Sequence, residues 1–139
     1  KRNLSKDVIT ECLHADYVLL ENSLLNEKVQ KLAIKNIRGG VWNDGLKDGE
    51  NISKYYPAQI LILLDKFKRG ESGLKQLKSN LRNKFDDTQT SYFHSTDNNQ
   101  ETWDYIKICI PDKEIILLDA IKNSKNPPSK KYFLYNKRI

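Results

Sequence analysis

Methionine is absent from this 139-residue sequence, and cysteine occurs only twice, as Cys12 and Cys109. Two cysteines allow at most one disulfide, for which nothing in the sequence argues. With only His14 and His94 beside them, they show none of the spacings of a zinc site. Each cysteine falls at an apolar-face position of an expected helix, so both are read as buried free thiols. Long apolar runs are missing as well. The longest, Ile60–Leu64, has five residues, against the roughly 18–20 that a membrane span needs. Lys1 and Arg2 lead into a polar segment and not an apolar h-region, so no secretory signal is read. These absences place the chain in the cytoplasm, with no membrane partner and no cofactor. There is no internal repeat. No Gly-x-Gly-x-x-Gly and no Gly-Lys-Ser/Thr phosphate loop occurs, although residues 39–54 hold Gly39, Gly40, Gly45 and Gly49.

What is present suits one domain, 1–139, excised from a larger polypeptide, since domains commonly run to about 100–150 residues. The net charge is +6, and its layout matters more than its size. Residues 66–84 hold Lys66, Lys68, Arg69, Lys75, Lys78, Arg82 and Lys84 against Glu71 alone. Residues 122–139 hold six basic and no acidic side chains, while the segment between carries eight acidic and two basic. Two basic blocks around an acidic one point to a polyanion-facing surface or an acidic protein partner.

Periodicity predicts an α+β fold: a helical first half, residues 5–85, packed on a small sheet formed mainly by the C-terminal third. Ser5 caps a first helix with Val8, Ile9, Cys12, Leu13, Leu19 and Leu20 on one face. A second helical stretch runs through Leu25, Val29, Leu32, Ala33 and Ile37, and Asn22–Ser23 either breaks the two or lies within one long helix. Pro57 suits the first turn of a third helix, with Ile60, Leu61, Leu64 and Phe67 inward. Gly70 and Gly73 bracket a turn. Leu74, Leu77, Leu81 and Phe85 then mark a helix whose other face carries Lys75, Lys78 and Arg82. Ser91–His94 reads as a short strand, Asp97 with Gln100 as a helix start, and Trp103, Ile106 and Ile110 as a helix closed by Pro111. Glu114–Ile121 is apolar and β-branched enough for a buried strand. Lys131–Tyr135 makes a last strand whose lysines suit a sheet edge.

His94 is the candidate for chemistry. It stands at a strand end just before a helix start, whose free N–H groups favour anions. A neutral imidazole there can act as a general base or accept a phosphate. It can equally be a half-buried side chain hydrogen-bonded to Ser95 or Thr96. A helical half followed by a strand-rich half is similar in layout to small nucleases and bacterial RNase toxins. On that analogy His94 is the acid or base, and Arg82, Lys84 and Lys130 or Lys131 stabilise charge on the phosphate. Without catalysis, Lys68, Arg69, Lys75, Lys78, Lys84, Lys130 and Lys131 would bind phosphates. Interleaved Phe67, Phe85, Tyr132, Phe133 and Tyr135 would stack bases, which favours RNA over DNA. Asp86–Asp87 and the loop carboxylates Asp44, Asp48 and Glu50 lack the spacing of a calcium loop.

Residues 80–112 also resemble the active-site region of nucleoside diphosphate kinases. That family has an Ile-Arg-Gly stretch, then His-Gly-Ser-Asp-Ser, then a helix leading to an aromatic-Pro segment. Here Leu81-Arg82-Asn83-Lys84-Phe85 is followed by His94-Ser95-Thr96-Asp97-Asn98 and a helix that reaches Pro111. The resemblance implies a nucleotide phosphotransferase, with His94 accepting phosphate, Arg82 binding it, and Gly49-Glu50-Asn51 preceding a nucleotide clamp. Ser95 replaces the glycine after the family's histidine, and Tyr105 stands at the position of its orienting glutamate. No Lys-Pro-Asp strand is present.

Overall fold

The fold turns on the segment around Pro57, where every residue from Ala58 to Asp65 is buried. The structure is a computed structural model and describes residues 4–36, 56–85, 93–123 and 131–137. Its elements are α1 (Leu4–His14), β1 (Val18–Leu24), α2 (Glu27–Asn36), β2 (Ala58–Leu64), α3 (Gly70–Lys84), β3 (Phe93–Ser95), α4 (Asn99–Cys109), α5 (Glu114–Lys122) and β4 (Lys131–Lys137), with a short 3-10 turn at Pro111–Lys113. The strands form one sheet in the order β1-β2-β4-β3, and each neighbouring pair is antiparallel.

Strand β2 is covered on both faces. Ala58, Ile60 and Ile62 pack with Ala33 of α2, Ile106 of α4 and Leu117 of α5. Leu61 and Leu63 point the other way, into Val8 and Cys12 of α1, Leu74, Leu77 and Leu81 of α3, and Phe93 of β3. Alternation along an extended chain feeds both layers. A strand buried on both faces reads as a continuous apolar run, so nothing in its local pattern distinguishes it from a helix. At its start, the Ala58 amide donates to Gln30 Oε1 of α2 at 2.7 Å, inside the protein. The Leu25 amide donates to the Ala58 carbonyl at 2.9 Å.

Helix α1 stops five residues before Leu19 because its end is closed by backbone bonds. The Asp16 amide donates to the Leu13 carbonyl at 3.0 Å, and the Tyr17 amide to the Cys12 carbonyl at 3.1 Å. This paired closure usually places glycine at the left-handed residue. Here Asp16 takes that conformation, with φ 64°, which a short polar side chain tolerates better than most. Tyr17 and Cys12 then pack in one cluster, and the chain leaves as β1, with a register shift between Leu19 and Glu21 against β2.

Several expectations are corrected by this arrangement. The α+β class holds, but the sheet is not built mainly from the C-terminal third: β1 and β2 come from the first half, and α4 and α5 from the second. Leu19 and Leu20 lie in a strand and not in the first helix. The segment after Pro57 is β2, so Phe67 lies beyond it and is exposed. Gly70 and Gly73 belong to α3. Glu114–Ile121 is helical, and only Leu117 in α5 is buried. Glu114 in its first turn and Lys122 in its last suit the helix dipole. That outweighs the small intrinsic strand bias of two isoleucines. Strand β4 is interior, between β2 and β3. The cap of α4 is Asn98, whose side chain accepts from the Glu101 amide at 2.9 Å, one residue after the expected Asp97. The expectations for residues 39–54, Asp86–Asp87, Ser91, Tyr92, the Pro127–Pro128 loop and Lys130 fall outside the described residues.

Cys12 and Cys109 are free and buried. Burial pushes both thiols up to about 12, which leaves them poor nucleophiles at neutral pH. Among the described residues, no helix is long and apolar enough to cross a membrane.

Candidate functional site

The first basic block begins in the turn between β2 and α3, and a buried carboxylate organises it. Asp65 ends the apolar run and is fully buried. Its Oδ1 accepts from the Arg69 amide at 3.1 Å and its Oδ2 from the Gly70 amide at 2.8 Å. Two amides at the start of α3, which would otherwise lack partners, are thereby satisfied beside a negative charge that the helix dipole favours. The Lys68 amide donates to the Asp65 carbonyl at 3.1 Å. Lys68 itself is left-handed, with φ 54°, and so is Gly70, with φ 69°.

Arg69 turns inward from this loop. Its guanidinium donates to the Ala15 carbonyl, lies 4.1 Å from the centre of the Tyr17 ring, and approaches Asp65 Oδ1 at 3.7 Å. It therefore joins the β2–α3 turn to the α1–β1 turn. Gly73 makes room for this packing. A Cβ at Gly73 would stand 2.5 Å from Arg69 Cβ and 3.2 Å from Tyr17 Oη. Alanine is favoured over glycine in a helix interior by about 1 kcal/mol. Gly73→Ala should nevertheless destabilise, by about 1–3 kcal/mol, because the crowded atom is the root of the arginine side chain. Thermal unfolding of the variant checks the sign; a rise in Tm would contradict this packing.

Along α3 the basic residues separate onto two flanks. Lys84 pairs with Glu11 of α1. Lys75 is exposed and pairs with Glu71 at 3.0 Å, which holds its ammonium above the usual range. Lys78 is half-buried. Burial and then the charge of Arg82 push it below the usual ammonium range, against the pull of Asp97; Lys75 adds to the push and Glu71 opposes it. Arg82 Nη2 donates to the Phe93 carbonyl of β3 at 3.2 Å. Lys75, Lys78 and Arg82 thus follow the side of α3 that borders β3 and the loop holding Asp97.

His94 lies on the same strand but on its other face. Phe93 packs with the α1 and α3 layer, its ring 5.9 Å from that of Phe85. The half-buried His94 stacks on Tyr105 of α4, with ring centres 6.0 Å apart and Nε2 3.5 Å from Tyr105 Oη. Thr96 Oγ1 lies 2.7 Å from Thr102 Oγ1 of α4. The structure therefore brings Lys75, Lys78 and Arg82 to one sheet edge, with His94 across the strand from them. Lys84 and Arg69 are engaged elsewhere, Lys68 stands exposed in the turn, and Lys131 opens β4.

Sequence reasoning missed Asp65 and Tyr17. The available signal was a lone carboxylate ending an apolar run, four residues before Arg69-Gly70 at the start of a helical pattern. Among the described residues, no three His, Cys, Asp or Glu side chains gather as a metal site. No protein-family description, no curated protein and no solved structure matches this chain.

Proposed function

We propose that this protein binds a phosphate-bearing polyanion, RNA foremost, through the first basic block. The observation that supports this reading is the run of Lys75, Lys78 and Arg82 along one flank of α3 beside β3. Lys78 is held there partly out of water and next to Arg82, so its charge is disfavoured in the free protein. Like charges gathered in this way repel, and a bound phosphate relieves the repulsion. Glu71 and Asp97 at the margins moderate the field. Polyanion binding of this kind releases counterions, so affinity for single-stranded RNA should fall linearly on a log–log plot against salt. The slope should be about −0.7 for each phosphate neutralised.

Filter binding of an oligouridylate across a salt series tests the reading. The Lys75→Gln, Lys78→Gln double variant should bind more weakly and lose about 0.7 of slope for each lysine removed. No binding at low salt, or binding with no salt slope, would rule the reading out. Arg82 is kept intact because its contact with the Phe93 carbonyl also supports the sheet edge.

A further inference from the structure

The β2–α3 turn carries a feature that the helix flank does not explain. Phe67 is 57% exposed, at the head of the first basic block. Lys66 and Lys68, its neighbours, are exposed as well. Lys66 Nζ lies 5.1 Å from the ring centre and the Arg69 guanidinium carbon 5.8 Å. Three amides of this turn are bonded to Asp65. The Asp65 carboxylate holds the amides of Arg69 and Gly70, and the Asp65 carbonyl holds that of Lys68. Lys68 is kept at φ 54°, in a region that non-glycine residues seldom occupy. Strain of this kind persists only where the surroundings enforce it, and it is often found at binding sites. The turn thus presents an aromatic ring to water with the cations of Lys66 and Arg69 over it.

We infer that Phe67 is a stacking platform for one base of a single-stranded nucleic acid, with Lys66 and Lys68 meeting the flanking phosphates. The inference rests on the polyanion-binding reading above and adds the residue that recognises bases. Single-strand binders combine aromatic faces for bases with a positively charged path for the backbone, and both components are present in three consecutive exposed residues here, Lys66, Phe67 and Lys68. A lipid surface is a poorer match. Interfacial membrane binding draws on a broad apolar face, and the turn offers one ring between two lysines. Because every base has a π-face, a platform of this kind selects single strands and not a sequence.

The test compares the wild-type protein with Phe67→Ala and Phe67→Trp. The probes are an oligouridylate, an abasic oligomer of equal length, and vesicles of anionic phospholipid. Phe67→Ala should weaken oligouridylate binding roughly tenfold or more and leave the salt slope unchanged, because no charge is removed. Phe67→Trp should keep the affinity, and its added fluorescence should be quenched on binding. Both the wild type and Phe67→Ala should bind the abasic oligomer equally. If the wild type binds with a salt slope and Phe67→Ala binds the oligouridylate as well as it does, the platform is refuted and the basic flank stands. If the wild type binds no oligonucleotide, the polyanion reading fails and the platform with it. Tighter binding to vesicles than to RNA, lost in Phe67→Ala, would overturn the assignment to a nucleobase.

Discussion

Replacing Asp65 with alanine is expected to lower the free energy of unfolding by about 3–5 kcal/mol. The carboxylate is fully buried. It satisfies two backbone amides at the start of α3 and faces the guanidinium of Arg69. Alanine would leave both amides without their acceptor and a half-buried cation without its counter-charge. The damage would extend beyond the turn, because Arg69 also holds the Ala15 carbonyl and the Tyr17 ring. Asp65→Asn keeps the volume and one acceptor oxygen, so it should lose less. In the double variant with Arg69→Met part of the loss should return, since the stranded cation is removed as well. Equilibrium unfolding in urea measures all three. A loss below about 1 kcal/mol for Asp65→Ala, the level of an exposed ion pair, would mean that water reaches the carboxylate.

The second large effect is expected at Ile62. Its side chain is completely buried, between β2 and the α2, α4 and α5 layer. Ile62→Ala should cost about 2–5 kcal/mol. Phe67→Ala, beyond the strand and exposed, should stay within about 0.5 kcal/mol of the wild type. The helical reading of this segment, with Ile60, Leu61, Leu64 and Phe67 inward, reverses the order. Unfolding curves of the two variants therefore decide between strand and helix. They also show whether Phe67 can be removed without harm to the fold, which its assignment as a base platform requires.

The candidate site was legible in part. The crowding of cations in residues 66–84 is a property of the sequence. So is the spacing that puts Lys75, Lys78 and Arg82 on one side of α3, since residues three and four apart share a helix face. The inward turn of Arg69 was not legible. It depends on Asp65, four residues earlier, but also on Tyr17 and Ala15, which reach it only through the α1–β1 turn. His94 was correctly placed on a short strand before a helix, yet its partner Tyr105 comes from the opposite layer. Alternation along β3 separates His94 from Arg82, and that separation appears only once both layers are assembled.

Helices α2, α3 and α4 were legible from their residues alone, because a 3.6-residue period is local information that needs no partner. So were the two basic blocks, and two cysteines placed on buried faces. The identity of β1, β2 and α5 and the interior position of β4 depend on long-range packing. Short apolar runs such as Ile60–Leu64 and Ile115–Leu118 satisfy strand and helix equally well. The choice is made by what covers them: two helical layers over Ile60–Leu64, one buried leucine in α5. The absence of long apolar runs excluded a spanning helix, and the longest run that remains is the strand between those two layers.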